Sequence, residues 1–264
     1  HRTWVFTGDG CLMEGISHEA CSLAGTWNLG KLICIYDDNG ISIDGKIDGW
    51  FTDDTAARFK SYGWQVIDKV DGHDADAISS AIDKAIKNTN KPTLICCKTQ
   101  IGFGSPNKAG TASSHGAPLG EDEIKKTKEK LGWEHEAFEI PQDIREMWDG
   151  SKKGEKLEKS WVELFDNYSK HYPDLAEEFS RRINRVLPEN WEEISKNAIN
   201  EINHEAIDLA TRQSSLLSLN KLGDSLPEMI GGSADLTGSN LTKHDTSVVI
   251  DETNSDGNYI YYGV

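Results

Sequence analysis

Two polar segments, each placed directly after a run of apolar residues, most strongly constrain how this chain can fold. The first is the Gly-Asp-Gly triplet at 8–10, which follows the apolar run 4–6. The second is Asn39, which follows the apolar run 32–36 and comes after twenty-eight intervening residues. Short apolar runs of this kind are typical of strands that are buried on both faces of a parallel sheet. We therefore expect two strands, each ending in a polar group.

The segment between the two runs has the spacing of a helix, with apolar residues at Ile16, Ala20, Leu23 and Ala24. Strand and helix patterns continue to alternate as far as residue 97. This alternation predicts an α/β fold, a doubly wound parallel sheet with flanking helices. The further predicted elements are a helix at 53–62, a strand at 64–67, a helix that Asp74 caps, and a strand at 93–97.

The ends of the first two strands carry oxygen donors that suit a divalent metal. In open α/β sheets, ligands bind at the carboxyl ends of the strands. Asp9 offers a carboxylate, Asn39 an amide oxygen and Ile41 a main-chain oxygen, which are the hard donors that Mg²⁺ prefers. Gly8 and Gly10 let the backbone approach a bound diphosphate closely. The alternative is that Asp9 only caps the next helix and that Asn39 begins an ordinary turn.

Charge and hydropathy exclude several classes of function. The formal net charge is −16, which argues against general nucleic-acid binding because that depends on Lys and Arg neutralising phosphates. No apolar run approaches the length that spans a bilayer, so we expect no membrane association. An anionic substrate must instead be received by a local positive site.

The cysteines indicate a reducing compartment. There are five, at irregular spacing, and three of them lie within apolar strand runs. An odd number without zinc-type spacing favours reduced, buried core residues. We therefore predict a cytoplasmic protein.

The second half of the chain changes character. From Glu121 it is predicted to form charged helices whose charges lie on solvated faces. Three parts are expected, with bounds 1–172, 173–204 and 205–264, and the middle part is a helical connection. The last part is predicted to contain a helix from Ala206 to Leu222 and strands at 230–233 and 259–262.

Four segments resemble the transketolase family of thiamin-diphosphate enzymes. The likeness runs, with a variable middle, over essentially the whole chain. The segments are TGDGCLMEGISHEACSLAGTWNLGKLICIYDDNGISIDGKIDG at 7–49, FTDDTAARFKSYGW at 51–64, CKTQIGFGSPNKAGTASSHGAPLG at 97–120 and IGGSADLTGSNLT at 230–242.

The resemblance implies the thiamin-diphosphate-binding fold and names the three parts. Residues 1–172 would form the diphosphate-binding domain without its N-terminal part, 173–204 the connection, and 205–264 the start of the pyrimidine-binding domain. The chain would then be an internal fragment, with the cofactor-activating glutamate of the family lying after Val264. On this reading the fragment alone is expected to be inactive.

The resemblance also implies cofactors and site residues. The cofactors are thiamin diphosphate and Mg²⁺, with Ca²⁺ as an alternative ion. His115 is expected to be catalytic and to face both cofactor and substrate. The implied cofactor-binding residues are Gly8, Asp9, Gly10, Asn39, Ile41, His115 and Asp235; the metal ligands are Asp9, Asn39 and Ile41; and the substrate-binding residues are His115, Arg212 and Ser239.

Three of these residues have ordinary alternative interpretations. An isolated loop histidine such as His115 is usually solvated, and Arg212 alone would be read as a surface or capping arginine. Asp235 suits an Asx-turn as well as a cofactor contact. A guanidinium nevertheless offers the planar pair of donors that matches a phosphate.

The implied activity is that of a transketolase in the pentose phosphate pathway. A two-carbon glycolaldehyde unit would pass reversibly from a ketose phosphate to an aldose phosphate, by way of a carbanion that thiamin diphosphate supplies. The family forms its active sites at the interface of a homodimer. Alternatives are a dihydroxyacetone synthase or deoxyxylulose-phosphate synthase, or a non-catalytic module that binds metal and diphosphate.

Overall fold

The computed structural model describes residues 1–205 and 207–264. It divides into two compact units, 1–136 and 137–264, and each is described by itself. Among the described residues, none of the helices combines the length and the apolar character that crossing a membrane requires.

Unit 1 is built on a parallel sheet with strand order β1-β2-β6-β5, and helices flank it. This confirms the predicted α/β class. Its elements are β1 (Thr3–Gly8), α1 (Asp9–Met13), α2 (Gly15–Thr26), β2 (Leu32–Asp38), β3 (Ile41–Ser42), β4 (Gly45–Lys46), α3 (Thr55–Ser61), β5 (Gln65–Asp71), α4 (Ala75–Lys87), β6 (Thr93–Lys98) and α5 (Glu121–Leu131), with 3₁₀ turns at Ile47–Gly49 and Ala112–Ser114.

The sheet of unit 1 buries side chains on both faces. Successive side chains of a strand point to opposite faces, so the central strands contribute to two separate clusters. One cluster joins alternate residues of β2 and β6 to α1, α2 and α3, and the other joins the intervening residues to α4. The apolar runs in the sequence therefore reflect burial on both faces, which explains why their strands were predictable.

The predicted helices α3 and α4 each begin directly after a capping aspartate. Asp74 accepts hydrogen bonds from the backbone N–H groups of Asp76 (2.9 Å) and Ala77 (3.2 Å), as predicted. Asp54 accepts one from Ala57 at 2.9 Å, so α3 starts at Thr55 and not at residue 53. Both caps satisfy backbone donors that the first turn of a helix leaves free.

Unit 2 consists of helices and a small parallel sheet. The predicted strands near 230–233 and 259–262 are present and pair in parallel. The elements are α6 (Gln142–Trp148), α7 (Ser151–His171), α8 (Pro173–Ile183), α9 (Trp191–Glu205), α10 (Thr211–Leu222), β7 (Gly231–Ala234), α11 (Thr237–Asn240) and β8 (Tyr259–Gly263), with a 3₁₀ turn at Gly223–Ser225.

One predicted helix is shorter than expected. The sequence favoured a helix from Ala206, but residues 207–210 are not helical and α10 begins at Thr211. Ala206 itself lies outside the described residues. Ala210 has an extended backbone, and its N–H donates to Oε1 of Gln213 at 3.1 Å. The predicted start of the helix was wrong. The Gln213 side chain caps the helix at Ala210, and alanine is not a residue that usually marks the start of a helix.

Candidate functional site

A cleft of about 670 Å³ opens at the carboxyl ends of β1 and β2. The parallel register pairs Gly8 with Asp37, so the residues after each strand come to the same edge of the sheet. Six of the residues singled out from the sequence line this cleft. They are Gly8, Asp9, Gly10, Asn39, Ile41 and His115, and the other lining residues are Cys11, Asp37, Ser42, Ile43, Asp44, Ile101, Ser114 and Gly116.

Asp9 is buried (3% exposed), and both of its carboxylate oxygens are held. The hydroxyl of Tyr36 donates to Oδ1 at 2.5 Å, and the backbone N–H of Gly40 donates to Oδ2 at 2.9 Å. Burial, together with the hydrogen bond to Asp9, raises the pKa of Tyr36 well above its ordinary value, so the phenol stays protonated and donates. An ionised carboxylate has about four lone-pair positions, and these two bonds use two of them.

Asn39 is oriented by Asp37, which is not among the predicted site residues. Its Nδ2 donates to Oδ2 of Asp37 at 3.2 Å, and its Oδ1 accepts from the backbone N–H of Ile41 at 2.9 Å. Thr99 donates its hydroxyl to the other oxygen of Asp37. The amide oxygen of Asn39 thus lies on the side away from Asp37, in the loop that lines the cleft.

The backbone beside the cleft leaves room for a ligand. A Cβ atom at Gly8, Gly10 or Gly116 would meet no other atom within 4 Å, so open space borders the main chain at all three glycines. Close approach of the backbone to a diphosphate was the reason for predicting a role for the first two. The space next to them fits that interpretation.

Glu123 holds the long glycine-rich segment 101–119 that carries His115. Its carboxylate accepts hydrogen bonds from the Ser105 hydroxyl, from the backbone N–H of Asn107 at 2.7 Å and from Nδ2 of Asn107 at 2.8 Å. These bonds, with that from Ser105 the largest cause, lower the pKa of Glu123 to about 2. Glu123 is only 7% exposed, so the prediction that the charges of this helix lie on solvated faces was wrong for it.

Lys108 fastens the same segment at a second point. Its Nζ donates to the carbonyl oxygen of Leu119 at 2.8 Å, and its own carbonyl oxygen accepts from the hydroxyls of Thr111 and Ser114. His115 follows the 3₁₀ turn, with its N–H bonded to Ala112 at 3.0 Å, and its side chain is exposed at the cleft. The segment is therefore an ordered loop that presents His115 to the cleft.

Three predicted site residues lie in unit 2. Arg212 is exposed in the first turn of α10, Ser239 is exposed in α11, and Asp235 is exposed in the left-handed conformation (φ 59°) after β7. Within the described part of the chain, no hydrogen bond or ion pair joins the three. The Asp235 carboxylate also accepts no backbone hydrogen bond there, so the alternative Asx-turn is not formed.

The donor set of the cleft fits a divalent metal held by oxygen atoms. Among the described residues, no three His, Cys, Asp or Glu side chains gather into a metal-binding group. A carboxylate, an amide oxygen and main-chain oxygens suit Mg²⁺ or Ca²⁺. Three carboxylates line the cleft, those of Asp9, Asp37 and Asp44. A diphosphate would be repelled by them unless a cation lay between.

Sequence reasoning missed the residues that position the predicted ligands. Tyr36 was predicted as part of an apolar strand and Glu123 as part of a charged helix. Both are buried, and Tyr36 bonds to Asp9 while Glu123 bonds to the loop that carries His115. For Tyr36, the available signal was its position three residues before Asn39. Neither role follows from spacing, because each depends on contacts between distant parts of the chain.

Comparison with known proteins identifies the class. The family model described as "Transketolase, thiamine diphosphate binding domain" matches residues 1–188. The chain is 56% identical to transketolase 2 of Escherichia coli and 57% identical to transketolase 2 of Aliivibrio fischeri, in each case over all of its 264 residues. It spans only 39% and 40% of those two relatives.

Solved structures agree with the sequence comparison. A transketolase from Pichia stipitis in complex with sedoheptulose 7-phosphate matches the whole chain with a TM-score of 0.87 and 44% identity. A transketolase from Leishmania mexicana matches with a TM-score of 0.87 and 36% identity. The chain covers 39% of each.

The fold and the matched model define a thiamin-diphosphate-binding domain. With most of its length matched by that model, the chain belongs to the transketolase family.

Proposed function

We propose that this protein acts as a transketolase, which moves a two-carbon glycolaldehyde unit reversibly from a ketose phosphate to an aldose phosphate. The observation that carries the proposal is the convergence of Asp9, Asn39 and His115 on one cleft at the carboxyl end of the sheet. Membership of the family, and relatives named transketolase, support the same reaction.

The metal and the diphosphate would be held by the first two strand ends. Asp9, Asn39 and the main-chain oxygen of Ile41 are the proposed metal ligands, and Mg²⁺ is the proposed ion, with Ca²⁺ as the alternative. The backbone at Gly8 and Gly10 would lie against the diphosphate. Thiamin diphosphate, when bound, supplies the carbanion chemistry that cleaves and forms the carbon–carbon bond.

His115 would act on the substrate side of the cleft. Its imidazole is exposed there and is carried on a loop that Glu123 and Lys108 fasten. A positioned imidazole can donate a hydrogen bond to a carbonyl or hydroxyl oxygen of a sugar and stabilise the negative charge that develops there. We assign His115 this donor role at the oxygen atoms of the substrate.

Arg212, Ser239 and Asp235 are proposed to complete the site in the assembled protein. Arg212 makes no ion pair with any described residue, so its guanidinium is available for a phosphate. Ser239 offers a hydroxyl to the same phosphate, and Asp235 is proposed to contact the cofactor. The proposed assembly is the homodimer that the family resemblance implied.

The net charge of −16 also supports a dedicated phosphate-binding arginine, because the overall field repels sugar phosphates. The proposed setting is the pentose phosphate pathway of the cytoplasm. All five cysteines are free, which suits a reducing compartment. A dihydroxyacetone synthase or deoxyxylulose-phosphate synthase remains the alternative enzyme, and donor and acceptor sugars tested in turn distinguish them. A non-catalytic module would bind cofactor and metal without turnover.

The metal assignment is tested by Asp9→Asn and Asp9→Ala in the full-length protein. We expect both to abolish Mg²⁺-dependent binding of thiamin diphosphate, measured by calorimetry, because the carboxylate ligand is lost. Asp9→Asn keeps an oxygen that can accept one of the two bonds that hold Asp9, so it limits damage to the fold. Asp83→Ala, at an exposed position on α4, is the control. Unchanged affinity in both Asp9 variants would overturn the assignment.

A further inference from the structure

We propose that Tyr36 is a positioning residue of the metal site, which holds the Asp9 carboxylate in the single orientation that Mg²⁺ requires more strictly than Ca²⁺. The inference rests on the proposed function, because it takes Asp9 as a metal ligand. It assigns to Tyr36 a role in metal choice that neither its apolar strand nor its buried ring would suggest.

The Asp9 carboxylate is fixed by two donors at two different oxygens. The Tyr36 hydroxyl reaches Oδ1 at 2.5 Å and the Gly40 N–H reaches Oδ2 at 2.9 Å. One donor alone would leave the carboxylate free to rotate about its Cβ–Cγ bond. With both in place, the plane of the carboxylate is set and the remaining lone pairs keep a constant direction.

The position of the Tyr36 hydroxyl is itself set by the core. The ring is 4% exposed and belongs to the buried cluster that contains Leu12 and Leu94. β2 holds its backbone between two parallel neighbours, β1 and β6. Because the ring cannot shift without disturbing this packing, the hydroxyl is a rigid donor.

The hydroxyl has one hydrogen and two carboxylates within reach. Oδ1 of Asp38 lies 3.5 Å from it, which is too far for a strong bond, and the same oxygen lies 3.0 Å from Nζ of Lys98. Lys98 therefore forms an ion pair with the more distant carboxylate, that of Asp38. The hydroxyl hydrogen of Tyr36 is donated to Asp9.

Orientation matters more for one ion than for the other. Mg²⁺ demands near-ideal octahedral geometry, whereas Ca²⁺ accepts six to eight ligands in flexible arrangements. Partners that orient a metal ligand typically contribute about 10- to 100-fold in metal affinity. A carboxylate that rotates should therefore weaken Mg²⁺ binding more than Ca²⁺ binding.

The test is Tyr36→Phe, which removes the hydroxyl and keeps the ring. Binding of thiamin diphosphate to the full-length protein is titrated with MgCl₂ and, separately, with CaCl₂, and the apparent affinity of each ion is compared with wild type. We expect the Mg²⁺ affinity to fall by about 10- to 100-fold and the Ca²⁺ affinity to fall clearly less. Tyr62→Phe is the matched control, since the Tyr62 hydroxyl bonds to His18 at 3.0 Å and not to Asp9.

Three results would contradict the inference in distinguishable ways. Unchanged Mg²⁺ affinity in Tyr36→Phe, with wild type binding normally, would overturn the role of Tyr36 and leave the proposed function intact. An equal loss for both ions, with a lowered melting temperature, would show that Tyr36 serves the fold alone. Wild-type protein that binds thiamin diphosphate with neither ion would overturn the proposed function and this inference together.

Discussion

Tyr36 and Asp37 are neighbours on β2, and each positions a different predicted ligand. Side chains alternate along a strand, so the two point to opposite sides. Tyr36 reaches Asp9 through the core, and Asp37 reaches Asn39 at the strand end. A strand of seven residues thus orients both side chains of the proposed metal site. Each of the two proposed side-chain ligands has its own hydrogen-bonding partner, an arrangement common at metal sites.

Arg212 is expected to bind the phosphate of the substrate and to take no part in the chemistry. Arg212→Ala should raise KM for phosphorylated sugars by roughly tenfold to a hundredfold, because losing a hydrogen bond to a charged group costs about 1.5–3 kcal/mol. KM for unphosphorylated sugars should change little, and kcat should be retained for both. Steady-state kinetics with matched sugar pairs measure the difference.

Two further variants make the Arg212 prediction specific. Arg212→Lys keeps the charge and loses the planar pair of donors, so an intermediate KM is expected. Lys221→Ala removes a cation from the same helix, one that pairs with Glu201 at 2.7 Å, and should not discriminate between the two sugar types. If Arg212→Ala raised KM equally for phosphorylated and unphosphorylated sugars, the role of the arginine would be structural.

At the scale of elements, the sheet was predictable and the loop was not. β2 and β6 are central strands buried on both faces, and their continuous apolar runs reveal them directly. The 101–119 segment has no periodic pattern in its sequence. It is ordered by hydrogen bonds to Glu123, a residue on the next helix. Local sequence reveals a buried strand. It does not reveal the order of a loop, which depends on contacts between distant residues.

The candidate site also has a part that the sequence predicts and a part that it does not. The ends of β1 and β2 place Asp9 and Asn39 at one edge of the sheet, where the rule for ligand sites in open sheets predicts them. The nearness of His115 was predicted only through the family resemblance, because a loop of this length can run in many directions. The start of α10 was misplaced because the Gln213 contact that fixes it gives no cap signal at Ala210.

We expect the order of the 101–119 loop to depend on pH through Glu123. Its pKa is lowered to about 2, mainly by the hydrogen bond from Ser105, so the ionised form is favoured in the folded protein. The stabilisation is fully present above the ordinary carboxyl range near pH 4.5 and is lost as the pH falls toward 2. We expect hydrogen-exchange protection factors in residues 105–115 to decline over that interval.

Glu123→Gln should remove this dependence. The neutral amide places an NH₂ group opposite donors at Asn107, so protection in the loop should be low at all pH values. Glu121→Gln, at an exposed position on the same helix, is the control and should behave like wild type. Loop protection in Glu123→Gln equal to that of wild type at pH 6 would show that another contact orders the loop.

For the whole molecule, the negative net charge is unfavourable for the anionic ligands of the proposed site. The chain carries a net charge of −16, and its candidate cleft is lined by three aspartates. In the proposed function, a diphosphate and a sugar phosphate would each need a local cation. The divalent metal would serve the first and Arg212 the second.

The last prediction concerns what residues 1–264 can do by themselves. They span only 39% of the relative from Escherichia coli. We expect the purified 264-residue chain to bind thiamin diphosphate and Mg²⁺ weakly, through Asp9 and Asn39, and to show no turnover. The measurement is a coupled assay with xylulose 5-phosphate and ribose 5-phosphate, with cofactor and metal in excess and the full-length protein as reference. Turnover near that of the reference would show that the 264 residues contain a complete active site.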